Sequence, residues 1–431
     1  MNTQTPPSNR SLSLGHSADH RGVRVPALIG LILAVFAFLA WLAAPAAAAT
    51  GDFVISGRGW GHGRGMSQWG AWAAAREGAT YQQILAFYYP GTTFGQTDNK
   101  VIKVRITRNT TSSGGYCYYR LLLKPTVTPG TLYPVIDGDG DGKLDEGEST
   151  PVSLDVGEVV DATYSNGKVQ VAGVPGSFDW IEVRPETTEG RVAVTLLVTS
   201  SSDPSASSNK REYWGKLQVT PNTSYSKLNL YNYVLLEQYL RSIRETESGW
   251  ADPARPDQYA PEAMKAQIVA SRSYALARLS YYGYVYDNTS AQIYGGYTDE
   301  LPGIIAAAEA TTGVVVTYGG KPIYAEFHAH NGGYTKKGDA AYFQAKPDQW
   351  SLKAPTSPWK TPPGWPWTKT ISPQTLTSAL DLGIGTITEM QVIKRETADP
   401  DSHAVTVRVT GTSGSKDISA LTLKGALGLG S

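Results

Sequence analysis

The sequence predicts an α+β protein: a mixed core assembled from an N-terminal glycine-rich block and the 210–430 region, with a small all-β domain inserted between them. Three observations carry that expectation. Residues 231–281 show helical periodicity, and residues 101–200 are short β-type runs separated by Gly, Pro, Asn and Asp turns. Ahead of both, Gly57, Gly59, Gly61, Gly63 and Gly65 alternate with Arg58, Trp60, His62 and Arg64. At 431 residues the chain can hold two or three domains and bury a sizeable core. The expected division is 1–49, 50–100, 101–200, a linker at 201–209, 210–355 and 356–431.

Lys plus Arg equals Asp plus Glu at 38 each, so the basic excess of a nucleic-acid binder is missing. Cys117 is the only cysteine, which excludes an intrachain disulfide and a Cys-based zinc cluster. With 25 Tyr and 11 Trp the chain is rich in side chains on which sugar rings stack, and which cores use as well.

Taken in order, residues 1–49 read as an export signal. Arg21 and Arg24 precede an apolar run from Val25 to Leu42, and Ala46–Ala49 suit cleavage. The run is near spanning length, so an uncleaved anchor is the alternative, and the membrane is met only through this segment. Past the alternating glycines, a helix is expected from about Ser67 to Arg76. A second follows, capped by Thr80 with Gln83 in capping-box position and stopped by Pro90-Gly91.

Within the β region, Asp137, Asp139, Asp141, Gly142, Lys143, Leu144, Asp145 and Glu148 fill the calcium-loop template. Five carboxylates packed this tightly repel one another without a cation. Strand-like flanks replace the paired helices of a sensor, so a structural Ca2+ clip is expected, with no part in catalysis.

Next come two expected helices, one over YNYVLLEQYLRSIRETES and one opening at Pro261. Leu236, Tyr239, Leu240 and Ile243 share one face of the first, and continuing that face one turn brings Glu247 onto it. A carboxylate turned toward a core has its pKa raised, as a general acid requires. The competing interpretation is a Glu at a fraying end, paired with Lys265 or Arg272. Further on, Val314–Tyr318 and Pro322–His328 read as a hairpin around Gly319-Gly320. His328 and His330 alternate there, but no third ligand lies nearby, which favours hydrogen bonding over a metal. A Pro/Trp-rich tether then leads to a last αβ region.

YVLLEQYLRSIRETES followed by PEAMKAQIVASRSYALA resembles the stage II sporulation protein D/LytB (SpoIID/LytB) family of peptidoglycan-active proteins, most specifically from Lys265 to Leu276. The run from Gly61 to Ala71, GHGRGMSQWGA, and FHAHNGGYT from Phe327 resemble further blocks of it. In many relatives the GHGRGMSQWGA block closes the chain, whereas here it comes first. The two blocks must then meet in space. By resemblance the catalytic Glu is Glu247, with Glu245 the runner-up, because Ser248-Gly249 replaces the family's Met-Pro. The resemblance implies a lytic transglycosylase acting on peptidoglycan glycan strands, secreted or envelope-associated. Its cleft walls would be His62, Ser67, Gln68, Gln267, Arg272, His328 and Thr335. A non-catalytic amidase enhancer that assists a cell-wall amidase, or a calcium-stabilised wall-binding protein, is the alternative.

Overall fold

The computed structural model describes residues 51–354 and 365–430. The expected signal or anchor, and most of the Pro/Trp-rich tether, lie outside the described residues. Among the described residues no helix is long and apolar enough to cross a membrane.

Two sheets face one another. The seven-stranded sheet runs Val285–Tyr286, Val101–Ile106, Lys227–Leu235, Lys216–Asn222, Trp180–Pro185, Gly130–Val135, Val152–Leu154. The six-stranded sheet runs Val174–Phe178, Lys168–Val171, Val160–Ser165, Arg120–Pro125, Arg191–Leu197, Lys210–Trp214. Period-two alternation explains their packing. Ile102, Val104 and Ile106, or Leu228 and Leu230, point inward and are fully buried against Leu121, Leu123, Val192 and Val194 of the other sheet.

The β region is therefore not a separate unit. Strands from 210–235 lie in the same two sheets as strands from 101–200, because the edges of Lys216–Asn222 and Lys227–Leu235 find partners there. The expected linker, too, is a connection within one sheet. It joins Arg191–Leu197 to Lys210–Trp214, which pair antiparallel.

Four helices matter for the site: α1 (Gln68–Arg76), α2 (Tyr81–Tyr88), α3 (Leu236–Leu240) and α4 (Pro261–Tyr282); α3 and α4 contact this sandwich, and α1 and α2 pack on α4. Ser67 caps α1, and Thr80 with Gln83 forms the capping box of α2. Pro261 opens α4 and Gly283, in the left-handed conformation, ends it. The first expected helix is corrected. Lys227–Leu235 is a strand, and α3 keeps only one turn and a half before the chain leaves it at Arg241. Alternating Leu228, Leu230, Asn232 and Val234 facing the core outweigh the helical spacing there. Consequently the helical face that was to carry Glu247 does not reach it.

The expected hairpin is also shorter. Val314–Tyr318 pairs with Lys321–Pro322, and the chain then departs so that Phe327–His328 runs parallel to Met66–Ser67. A second, smaller core lies at the far end, where Phe53–Gly57 pairs antiparallel with Trp367–Ile371. There Phe53 and Ile55 pack on Ile371, Leu376, Ile387 and Val409.

Candidate functional site

The glycine-rich block and the FHAHNGG block are zipped together by backbone. Trp60 and His330 exchange hydrogen bonds, Met66 N–H donates to the Glu326 carbonyl (3.1 Å), and Trp69 N–H donates to that of Ala329 (3.1 Å). Glycine is required at Gly65: its φ is +66°, and a Cβ there would lie 2.0 Å from the Glu326 carbonyl oxygen. Arg64 grips the Glu326 carboxylate with two hydrogen bonds, at 2.5 and 2.8 Å.

His62 and His328 sit on this seam with ring centroids 5.1 Å apart. His62 Nδ1 accepts from Arg64 N–H (3.1 Å), so its Nε2 carries the proton and donates to the Phe327 carbonyl (3.0 Å). His328 Nδ1 donates to the Arg64 carbonyl (3.0 Å), which leaves Nε2 a bare acceptor, buried without a partner among the described residues. Burial lowers the pKa of both rings, helped for His328 by the neighbouring His62. His330 is lowered to about 4, chiefly by burial, and bonds the Ser351 carbonyl (3.0 Å). The two histidines of the FHAH run thus turn to different partners.

From this seam, Gln68 reaches the carboxylate turn. Its Nε2 donates to the Glu245 carbonyl (2.9 Å) and to Gln267 Oε1 (3.3 Å), and Gln267 in turn donates to Ser271 (3.1 Å). The turn itself follows α3. Arg244 N–H donates to the Ile293 carbonyl (3.0 Å), Ile293 N–H donates to Glu245 Oε1, and Thr246 contacts Met264. Trp250 clamps its far side, with its ring 5.3 Å from that of Trp69 on α1. The two signature blocks, far apart in sequence, therefore meet where the resemblance requires them to.

Two carboxylates lie on this turn. Burial pushes Glu245 up to about 7, only partly offset by the Ile293 N–H. Glu247, half-buried, precedes a short 3-10 turn over Ser248–Ala251. Beside it opens a groove of about 870 Å3, lined among others by Ser248, Arg255, Tyr259, Met264, Lys265 and Leu301. That volume is within the ordinary range of ligand clefts.

Several expected cleft residues are structural. Arg272 is wholly buried, held by Glu237 at 2.9 and 2.7 Å and donating to the Val314 carbonyl (3.0 Å), so it locks α3 to α4 and does not face the groove. Thr335 donates to the Gln344 carbonyl (2.7 Å) and is buried. Ser67, also buried, caps α1 and accepts from Ser351 Oγ (2.9 Å). Gln68 and Gln267 lie at the carboxylate turn, while His62 and His328 form their own cluster, with no hydrogen bond to Glu245 among the described residues. Asp348 is not among the expected site residues. Its buried carboxylate accepts from Tyr88 Oη (2.7 Å), Asn331 Nδ2 (2.7 Å), Ser351 Oγ (2.7 Å) and two backbone N–H groups of the turn it caps. The only signal was an Asp ahead of a short helix.

Away from this site, the acidic loop joins Gly130–Val135 to Val152–Leu154. Asp137, Asp139 and Asp141 can bring one carboxyl oxygen each to within 4.8 Å of the others. Asp137 accepts from the N–H of Gly140 (2.7 Å) and Gly142 (3.0 Å), and Glu148 from those of Gly138 (2.7 Å) and Asp145 (3.0 Å). Lys143 pairs with Asp141. An all-oxygen donor set of this kind suits a hard divalent cation.

Comparison with known proteins bears on the same region. The model of the family described as "Stage II sporulation protein" matches residues 224–318. "Stage II sporulation protein D" of Bacillus amyloliquefaciens is 31% identical over 157 residues, 32% of this chain and 43% of that protein. The protein of the same name from Bacillus subtilis is 29% identical over the same length. "Amidase enhancer" of Bacillus subtilis is 61% identical over 44 residues, 10% of this chain and 6% of that one. The matches thus span less than half of each of these relatives. No solved structure matches the chain. Residues 224–318 are thus similar to the family described as stage II sporulation protein, and shorter stretches of the chain are similar to an amidase enhancer.

Proposed function

We propose that the protein is a secreted or envelope-held lytic transglycosylase that cleaves the bond between N-acetylmuramic acid and N-acetylglucosamine. Glu247 protonates the leaving glycosidic oxygen as the bond from C1 breaks. As carboxylate it then takes the proton from the muramic acid 6-hydroxyl, whose oxygen bonds to C1. A 1,6-anhydro end forms and no water is consumed. One carboxyl acting in two successive states suffices, where ordinary glycoside hydrolysis usually uses two.

The observation that carries this proposal is the Gln68–Glu245 contact, which joins the two signature blocks beside the 870 Å3 groove. A second assignment has its own support: Glu245, at about 7, is the carboxyl poised to be an acid near neutral pH. Mass analysis of fragments released from purified walls separates them. Glu247→Gln abolishes anhydro ends if Glu247 is the acid, and Glu245→Gln if Glu245 is. Wild-type protein that releases no anhydro ends, yet speeds a wall amidase, would establish the non-catalytic alternative, for which one relative is named. The acidic loop is proposed to hold a structural Ca2+ through Asp137, Asp139, Asp141, the Lys143 carbonyl and Glu148, with Asp145 at its ninth position.

A further inference from the structure

The outward face of the seven-stranded sheet has a composition that its neighbours in the fold do not explain. The elements that pack broadly against these strands, among the described residues, belong to the six-stranded sheet on the inward side, to α3, which continues Lys227–Leu235, or to α4, which leads into the edge strand Val285–Tyr286. Outward, strand register lines up one row across six strands: Tyr133, Glu182, Gln218, Tyr231, Arg105, Tyr286. At about 4.8 Å per strand the row is about 24 Å long. A neighbouring row sets Lys216 opposite Tyr233 and Tyr233 opposite Lys103.

Cations lie over the tyrosine rings throughout. Lys103 Nζ is 4.3 Å from the Tyr231 ring and 5.3 Å from that of Tyr233, and Lys216 Nζ is 4.4 Å from Tyr233. The Arg184 guanidinium is 4.4 Å from the Tyr133 ring. Glu182 is the only carboxylate in these rows, and it is already taken by Arg184 and Lys216. Lys103 and Arg105 have no carboxylate partner among the described residues, although both are half-buried. Lys103 and Lys216 each have a lowered pKa, by burial first, and Lys216 repels Lys103. Four cations facing one committed carboxylate, in a chain whose overall charge is balanced, make a local positive field.

The track does not stop at the sheet edge. Tyr284 lies 5.2 Å from Tyr286, and Arg278 of α4 stacks over Tyr286 and Tyr282. Beyond Tyr282 a groove of about 690 Å3, lined by Tyr281, Tyr318, Tyr324 and Tyr342, ends at Glu326, the partner of Arg64.

We infer that this tyrosine–cation face binds an extended acidic wall polysaccharide whose anions are phosphodiesters. Ring faces accept the apolar sides of sugars, and ammonium and guanidinium groups meet the phosphates. Only the setting, a bacterial wall, rests on the proposed function; binding needs neither Glu245 nor Glu247. Single-stranded nucleic acid offers similar chemistry, and the balanced overall charge argues against it.

Co-sedimentation of the full chain carrying both Glu245→Gln and Glu247→Gln, so that neither carboxyl can cleave, tests this. The probes are walls bearing phosphodiester polymers, the same walls stripped of them, and a single-stranded oligonucleotide. Binding to intact walls is expected to exceed binding to stripped walls at least tenfold and to weaken as salt is raised. Lys103→Gln with Tyr231→Ala is expected to remove most of the difference. Lys103→Gln alone, which leaves no carboxylate unpaired, is expected to keep the thermal midpoint while lowering binding. Equal binding to both wall samples, unchanged binding by the variants, or tighter binding of the oligonucleotide overturns the inference. Failure here leaves the release of anhydro ends by wild type untouched, so the two proposals fail separately.

Discussion

Glu245 and Glu247 sit two residues apart on one turn and meet different surroundings. The first is pushed up to about 7 by burial, while the second adjoins Ser248, which lines the groove. A buried carboxyl whose folded pKa lies above its ordinary 4.5 holds its proton longer in the folded than in the unfolded chain. Stability tied to Glu245 is therefore present below about pH 4.5 and lost as pH rises toward 7. Glu245→Gln should remove a loss of a few kcal/mol across that window, read from urea unfolding at pH 4.5 and 7. Asp287, raised to about 6 by burial, loses stability over a similar window, while His62, His328 and His330, lowered by burial, gain it, so the Glu245 contribution is read as the difference between wild type and variant. Arg272 has the opposite character, a cation fixed by a carboxylate. Arg272→Gln leaves Glu237 without its cation, and should cost about 3–5 kcal/mol in unfolding free energy.

At the scale of elements, the seam between the glycine-rich block and the FHAHNGG block holds the site together. Gly65→Ala puts a methyl group 2.0 Å from a backbone oxygen at a left-handed φ. It should destabilise by about 2 kcal/mol or more and lower wall cleavage together with the melting temperature, since the seam positions Gln68. What could be read from the chain divides along physical lines. Caps and breakers are local, so α1, α2 and the start of α4 were legible from Ser67, Thr80, Gln83 and Pro261. The strand Lys227–Leu235 was not, because its identity depends on Val101–Ile106, more than a hundred residues earlier, offering an edge. Roles of polar residues were harder still. Gln68 and Gln267 were expected as cleft walls from the family motif, and Gln68 bonds both the Glu245 carbonyl and Gln267. Arg272 looked like a ligand of substrate, but a cation seven residues from Lys265 on the same helix carries no sign that Glu237 will bury it.

For the molecule as a whole, the acidic loop ties the outer strands Gly130–Val135 and Val152–Leu154 of one sheet. Bound Ca2+ should raise the melting temperature of the full chain, with a chelator reversing it. The expected gain is about 2.7 kcal/mol at a hundredfold excess over Kd. Asp139→Asn with Asp141→Asn should abolish that response and leave wall cleavage unchanged.

The pairing of Phe53–Gly57 with Trp367–Ile371 sets an order of events during synthesis and folding. An early strand must wait, unpaired, until its partner has been made, and only then can the smaller core close around Phe53 and Ile55. Contacts of such long sequence separation form slowly. Truncation before Trp367 leaves Phe53–Gly57 without that partner for good.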